Sequence, residues 1–421
     1  SPSPPTTPEA PRSALPTWPV VVLCAGIFIY RQPELAKTIG IFLLVLGVLV
    51  FVHEWGHYQF ARWAGMKVNR FAVGFPPWIY SRRQNGIDYS IGALPIGGMV
   101  DIAGLGSEEE MIATAQGETV ETATREARPD MPYGQRQFQD TSLMWRFWTL
   151  FAGPLMNIVF AIAVFVAVFS FVGVPDYKAT RVTQSVREVS PDMPAAAAGV
   201  LVGDRLIGLN GQRIANVQEL VKRISRGGGK PLTVMIERDG HILEKRIRPV
   251  WEQVPRPDGS TQATLMIGVG FQEEFPYVRV GFGEAMKRGW EATTDISMQI
   301  VAMLGRAVTG KLSEEEKQGI GGPVKIAQIA GATARDGWQE VALFAAALSV
   351  NLGLMNMLPI PALDGGRILF LGFELLTGRP VDTRKEGLVH MVGMMVLLAF
   401  MLFITVRDVL PWIERGLQRV F

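Results

Sequence analysis

Cysteine is nearly absent: Cys24 is the one thiol among 421 residues. That excludes an internal disulfide framework and every zinc cluster built on thiolates. Histidine is scarce as well, at four residues, so any pair of them close in sequence carries weight. Charge is thin. Asp, Glu, Lys and Arg make up 19% of the chain, against roughly 25% in an ordinary soluble protein. The 41 basic and 39 acidic side chains nearly cancel, to +2, and no clustered basic face marks a nucleic-acid binder. Several catalytic signatures are missing too. There is no G-x-S-x-G. Ser225-Arg226-Gly227-Gly228-Gly229-Lys230-Pro231 lacks the leading glycine and the Ser/Thr of a phosphate loop, and Gly268-Val269-Gly270 lacks the third glycine of a dinucleotide fingerprint. Cys24 has apolar neighbours and no nearby histidine, and reads as packing rather than as a nucleophile.

The charge that is present avoids four stretches: Thr38–Val52, Phe147–Pro175, Val341–Leu363 and Gly387–Val406 hold no Asp, Glu, Lys or Arg. About 20 apolar residues at ~1.5 Å rise cross a hydrocarbon layer of ~30 Å. The expected architecture is therefore an α-helical polytopic membrane protein with about four core transmembrane helices, at 38–62, 145–175, 338–366 and 388–410. The first 19 residues hold seven prolines, which makes 1–17 a disordered tail; no basic n-region with an Ala-x-Ala site marks a signal peptide. Residues 18–37 form an extra N-terminal apolar segment, either interfacial or a short additional span. Residues 63–106 are rich in Gly and aromatics and have β character. Residues 107–144 are charged, lack periodicity and read as a flexible loop. Gly153 and Asn157 open the second span with the small-residue spacing of helix contacts in membrane bundles.

Residues 178–250 read as a soluble α+β insert. Asn210-Gly211 and Asp239-Gly240 are hairpin turns, and Val217, Leu220, Val221 and Ile224 form one apolar helix face. Residues 251–337 follow as a linker with an amphipathic, interfacial helix near Phe282–Thr309, and 411–421 are a tail. His241, beside a turn, reads as solvated, and His390, at the start of the last run, as interfacial.

Two of the four histidines fall in His53-Glu54-Trp55-Gly56-His57, an H-E-x-x-H. Residues four apart share a helix face, so both imidazoles can bind one zinc ion. Glu54 sits about 100° round the helix, where a carboxylate can take a proton from water and pass it to a leaving amine. An ionisable residue in an otherwise uncharged span is costly and marks function. A catalytic zinc has three protein ligands and an open position. Spacing alone does not choose the third. Asp364 is the best-placed candidate, directly after the third uncharged run in Asn356-Met357-Leu358-Pro359-Ile360-Pro361-Ala362-Leu363-Asp364-Gly365-Gly366. Its prolines break the helix, and non-helical backbone at membrane depth must face protein or a wet cavity. A helix N-cap is the competing role for Asp364.

Taken together, H-E-x-x-H in the first core span and N-x-x-P-x-P-x-L-D-G before the last resemble the site-2 protease family of intramembrane zinc metalloproteases, in its regulator-of-sigma-E branch. Gly92-Ala93-Leu94-Pro95-Ile96-Gly97-Gly98-Met99-Val100, Gly153-Pro154-Leu155-Met156-Asn157 and Gly319-Ile320-Gly321-Gly322-Pro323 are further matches. The resemblance covers about 38–410. It implies zinc as cofactor, His53, His57 and Asp364 as its ligands, Glu54 as catalytic base, and Asn356 as a substrate-holding residue. The 63–106 region resembles the family's membrane-associated β-loop, with Gly97 and Gly98 as substrate-binding candidates. An exposed strand edge there could pair with an unwound substrate; a plain hairpin cap is the alternative. Ser190–Val200 followed by Gly203-Asp204-Arg205-Leu206-Ile207 makes 178–250 resemble a PDZ domain. One such module is found where better-known members carry two, and the extension before Thr38 is a second departure.

The family implies proteolysis of single-span membrane proteins, such as anti-sigma factors or remnant signal peptides, in regulated intramembrane proteolysis. Expected partners are those substrates, a peptide or substrate ectodomain at the PDZ domain, and the lipid bilayer, with no nucleic acid. Arg62, Lys67, Arg70, Arg136, Arg146, Arg367, Arg379, Arg384 and Lys385 flank the loops around 63–144 and 359–387, which the positive-inside rule places in the cytoplasm. Arg407, Arg415 and Arg419 oppose this mildly. The expectation is a multi-pass bacterial inner-membrane protein, PDZ domain outside, active site toward the cytoplasm. Two rival classes remain open from sequence: a membrane receptor or scaffold with structural zinc, and a zinc transporter. The first lacks a fourth ligand near the motifs, and the second would need more intramembrane carboxylates or histidines.

Overall fold

The computed structural model describes residues 30–105, 134–176, 181–255, 261–274, 276–313, 316–317 and 321–417. The expected tail at 1–17, Cys24, most of the segment 18–37 and the body of the loop 107–144 lie outside them. The chain divides into two compact units, one from 1–171 with 281–421 and one from 172–280.

In the first unit, helix α1 spans Pro33–Trp63. Pro33 starts it with a pre-set φ, Glu34 lies in its first turn and Arg62 in its last, which complements the helix dipole. Strands β1 (Val68–Gln84) and β2 (Ile87–Ile102) follow. Asn85 and Gly86 both take positive φ, 52° and 81°, the requirement of a two-residue hairpin turn. The strands pair next to the turn, from Gln84↔Ile87 to Tyr80↔Ile91, and again at their far ends, from Val68↔Ile102 to Val73↔Gly98. A hairpin this long has bent and folded back toward α1. Phe71, Val68 and Ile102 pack there on Tyr58 and Ala61.

Helix α2 spans Leu143–Phe171 and is the hub of this unit. It packs on α1, on α5 (Phe282–Val308), on α7 (Trp338–Asn356) and on α8 (Asp364–Thr377). Small residues permit the approach, as in membrane bundles. A Cβ on Gly353 would stand 2.9 Å from the Pro154 carbonyl oxygen, and one on Gly289 2.8 Å from the Val166 side chain. Helix α6 (Pro323–Asp336) lies against α1, and α9 (Thr383–Leu417) closes the unit. Among the described residues, four helices are long and apolar enough to cross a membrane: Pro33–Trp63, Leu143–Phe171, Trp338–Asn356 and Lys385–Leu410. The first unit is thus mostly helical, as the uncharged runs imply.

The second unit is an antiparallel sheet in the order β11-β4-β5-β7-β8, with β6 on β5. The strands are β4 (Arg181–Val189), β5 (Arg205–Leu209), β6 (Gln212–Arg213), β7 (Leu232–Arg238), β8 (His241–Ile247) and β11 (Val269–Glu274). A short turn of helix, α3 (Pro194–Ala197), and helix α4 (Val217–Arg226) belong to the same unit. Strands β9 (Val250–Pro255) and β10 (Thr261–Met266) pair separately, as do β3 (Val174–Pro175) and β12 (Tyr277–Val278). Asn210-Gly211 and Asp239-Gly240 turn with positive φ at both positions. Asn216 caps α4 by accepting the Glu219 N–H at 2.9 Å, which satisfies one orphan donor. Leu220 and Ile224 of α4 pack with Leu206, Val234, Ile236 and Ile247 of the sheet. Burying each such side chain stabilises by about 1.5–3 kcal/mol.

Candidate metal centre and its cavity

His53 and His57 lie one turn apart on α1, each 8% exposed. The third member arrives through a break in the chain. Helix α7 ends at Asn356. Pro359 and Pro361 cannot continue it, and Ala362 takes φ +82°, a left-handed conformation that costs an L-residue about 1–2 kcal/mol. Helix α8 then begins at Asp364. Its N-cap is Leu363, with no side-chain capping bond, so Asp364 does not act as a cap. Its Oδ2 instead stands 3.1 Å from His53 Nε2 and 3.4 Å from His57 Nε2, and the two Nε2 atoms are 3.2 Å apart.

These residues fit a zinc ion. His57 Nδ1 lies 2.7 Å from the Thr149 carbonyl oxygen. A carbonyl only accepts, so Nδ1 carries the proton and a neutral ring presents Nε2 as a bare lone pair. Among the described residues the buried Asp364 Oδ2 has no hydrogen-bond partner. Lone pairs that converge this closely repel unless a cation stands between them. Ligands at ~2.0–2.1 Å on a tetrahedral ion are separated by roughly 3.3 Å, and the observed edges are 3.1, 3.2 and 3.4 Å. Among the described residues no fourth His, Cys, Asp or Glu joins the group. Three ligands and an open position are the pattern of a catalytic site.

The three side chains line a cavity of about 400 Å³, which Glu54, Gly97, Gly98 and Asn356 also line. All seven residues singled out from sequence therefore face one space. Glu54 receives a hydrogen bond from the Val100 N–H of β2, and a Cβ on Gly98 would come within 2.7 Å of Glu54 Cγ. The bent-back end of the hairpin thus lies directly on the carboxylate.

Other residues here were not anticipated. Asn157 Nδ2 is 3.1 Å from His53 Nδ1. Arg367 lines the cavity, one turn after Asp364, and donates to the Leu105 carbonyl at 2.7 Å. His390 is buried, at 3% exposure, and its Nδ1 accepts the Ala362 N–H at 2.9 Å. That bond steadies the strained residue two before Asp364. Arg146 of α2 holds Glu374 of α8 with two bonds, at 3.0 and 2.6 Å. The H-E-x-x-H was legible because its members are local on one helix. These partners are far apart in the chain. Asn157 is marked in sequence by the Gly153-Pro154-Leu155-Met156-Asn157 match; the others show only a polar residue in or beside an apolar run.

The family model of peptidase family M50 matches residues 41–400. A relative from Rhizobium meliloti is 35% identical over 380 residues, 89% of this chain and 97% of its own. The zinc metalloprotease RasP of Geobacillus kaustophilus is 32% identical over 434 residues, covering 89% of this chain and 98% of that one. RasP of Oceanobacillus iheyensis is 31% identical over 438 residues, covering 88% and 98%. A solved PDZ domain of an SdrC-like protein from Listeria innocua aligns with 21% of this chain and 93% of its own, at 22% identity and a TM-score of 0.18.

Proposed function

The chain belongs to peptidase family M50, the site-2 proteases, and is a zinc metalloprotease with helices long and apolar enough to span a membrane; on that premise we propose that it hydrolyses peptide bonds of single-span membrane proteins, with His53, His57 and Asp364 as zinc ligands and Glu54 as the base. The observation that supports this most is the convergence of three ligand atoms within 4.8 Å in a cavity that Glu54 also lines.

When bound, zinc supplies Lewis acidity at the open position. Glu54 removes a proton from the attacking water and returns it to the leaving nitrogen, a role worth about 10²–10⁴ in rate. The Val100 N–H keeps that carboxylate aimed at the cavity. A substrate helix hides its amides in internal hydrogen bonds and must be drawn out before it can react. Gly97 and Gly98 offer strand edge for pairing with the unwound segment, and Asn356, which also lines the cavity, holds it through its amide.

The 178–250 region acts as a PDZ module that admits substrates by size or by a bound peptide; the sheet and helix of the second unit are compatible with strand addition. Anti-sigma factors and remnant signal peptides are the substrate classes, in regulated intramembrane proteolysis at the inner membrane. Arg62, Lys67, Arg367 and Arg379 put the loops that flank the catalytic helices in the cytoplasm, and residues 172–280, between the second and third crossings, outside.

Purified protein tests the roles directly. Glu54→Gln is expected to retain one zinc and to lose cleavage of a single-span reporter by at least 10²-fold; retained cleavage would sink the base assignment. Asp364→Ala is expected to lose zinc, and unchanged stoichiometry would remove it from the ligand set.

A further inference from the structure

His53 has a second neighbour that the ligand assignment leaves unused. Asn157 of α2 is wholly buried, at 0% exposure. Its amide nitrogen faces His53 Nδ1 at 3.1 Å, while its Oδ1 is buried with no partner among the described residues. With the amide in that orientation its N–H donates, so Nδ1 must be bare and a neutral ring carries its proton on Nε2. A protonated Nε2 has no lone pair for a metal. His57, 3.2 Å away, shows the opposite state, with Nδ1–H on the Thr149 carbonyl and Nε2 bare.

Turning the Asn157 amide over removes the conflict. Amide oxygen and nitrogen have nearly the same shape, and the hydrogen-bond network decides between them. Oδ1 then accepts from His53 Nδ1–H, and both rings present Nε2 to the same point. Neighbours on α7 hold Asn157 in place for this. Ser349 Oγ donates to its backbone carbonyl at 2.9 Å, and Gly353 leaves no free room beside its Cβ.

We infer that Asn157 is a positioning residue for the metal: its amide oxygen, on His53 Nδ1–H, fixes the tautomer and ring plane that aim Nε2 at zinc. This rests on the assignment of His53 and His57 as ligands. The alternative is an amide that only ties α1 to α2, and it predicts no change in metal affinity once the protein is folded.

The test uses full-length protein in detergent, with zinc affinity from chelator competition and the visible spectrum of the cobalt-substituted form. Asn157→Leu is expected to bind zinc about 10–100-fold more weakly, as for other partners of ligating histidines, and to shift the cobalt bands. Asn157→Asp, which keeps an oxygen acceptor, is expected to recover most of the affinity. Unchanged affinity and spectrum in Asn157→Leu overturn the inference while His53→Ala still abolishes binding. Full zinc binding by His53→Ala overturns the ligand assignment and the inference with it. If Asn157→Leu does not fold, nitrogen-15 imidazole spectra of the zinc-free wild type decide, with the His53 signal identified by its loss in His53→Gln. A protonated Nδ1 supports the inference and a bare Nδ1 overturns it.

Discussion

Gly153 shows how little freedom the metal centre has. It sits one turn before Asn157, against both imidazoles: a Cβ there would stand 2.6 Å from His57 Cε1 and 2.8 Å from His53 Nε2. Gly153→Ala should therefore displace the ligand atoms and remove zinc, although alanine favours the helix by about 1 kcal/mol over glycine. Metal content against thermal unfolding separates the two effects. Zinc loss with a retained fold is the expected result, and full zinc occupancy would show that the helices move apart at little cost. In the second unit the residue to watch is Asp204, 1% exposed. Burial raises its carboxyl, but the Arg238 guanidinium and the Leu201 N–H outweigh burial and leave it below its ordinary value. An unfolded aspartate titrates near 3.9, so this contribution is complete above that pH and is lost as pH falls through the lower folded value. The protection factors of the β5 and β7 amides in the whole protein, exchange referred to the intrinsic rate at each pH, should be high at neutral pH and fall below about pH 4. Asp204→Asn should be less protected at neutral pH and show a flatter acid limb.

The third ligand depends on how helix α8 is clamped to the rest of the unit. Asp364 follows seven non-helical residues, Met357–Leu363, so its place depends on where α8 is clamped. One clamp is the Arg146–Glu374 pair, with side chains 10% and 16% exposed. Removing one partner of a buried pair leaves an unpaired charge and costs about 3–5 kcal/mol, while replacing both with apolar residues can be nearly neutral. Glu374→Leu is expected to lower both unfolding stability and zinc retention, and Arg146→Met with Glu374→Leu to restore much of each. A double variant no better than the single one would show that the clamp supplies geometry rather than charge balance. Sequence made the break at Pro359 and Pro361 visible, because proline acts locally. It left the clamps invisible, because Arg146 and Glu374 are 228 residues apart. His390 illustrates the same limit. A histidine at the head of an apolar run suits a membrane surface, and only the packing of α9 on the loop shows that its ring accepts the Ala362 N–H.

For the whole molecule, the four apolar helices were legible because lipid demands long uncharged runs, whereas the hairpin was legible as β character and as a likeness to the family's β-loop but not in its bend. Which side each loop occupies rests on charge bias, and the scarcity of cysteine makes that testable. In a Cys24→Ser background, introduced thiols are the only ones. Gln218→Cys on α4 and Arg379→Cys after α8 both lie at exposed positions, in segments separated by one crossing if α7 spans the membrane. The basic residues near Arg62 and Arg367 favour the cytoplasmic side for the second position. An impermeant maleimide applied to intact spheroplasts should therefore label Gln218→Cys and spare Arg379→Cys until the membrane is permeabilised. The reverse pattern would invert the topology. Equal labelling of both would mean that α7 does not cross, and the Asp364-bearing break could not then lie at membrane depth, because the 19 residues of α7 are the segment that brings it there.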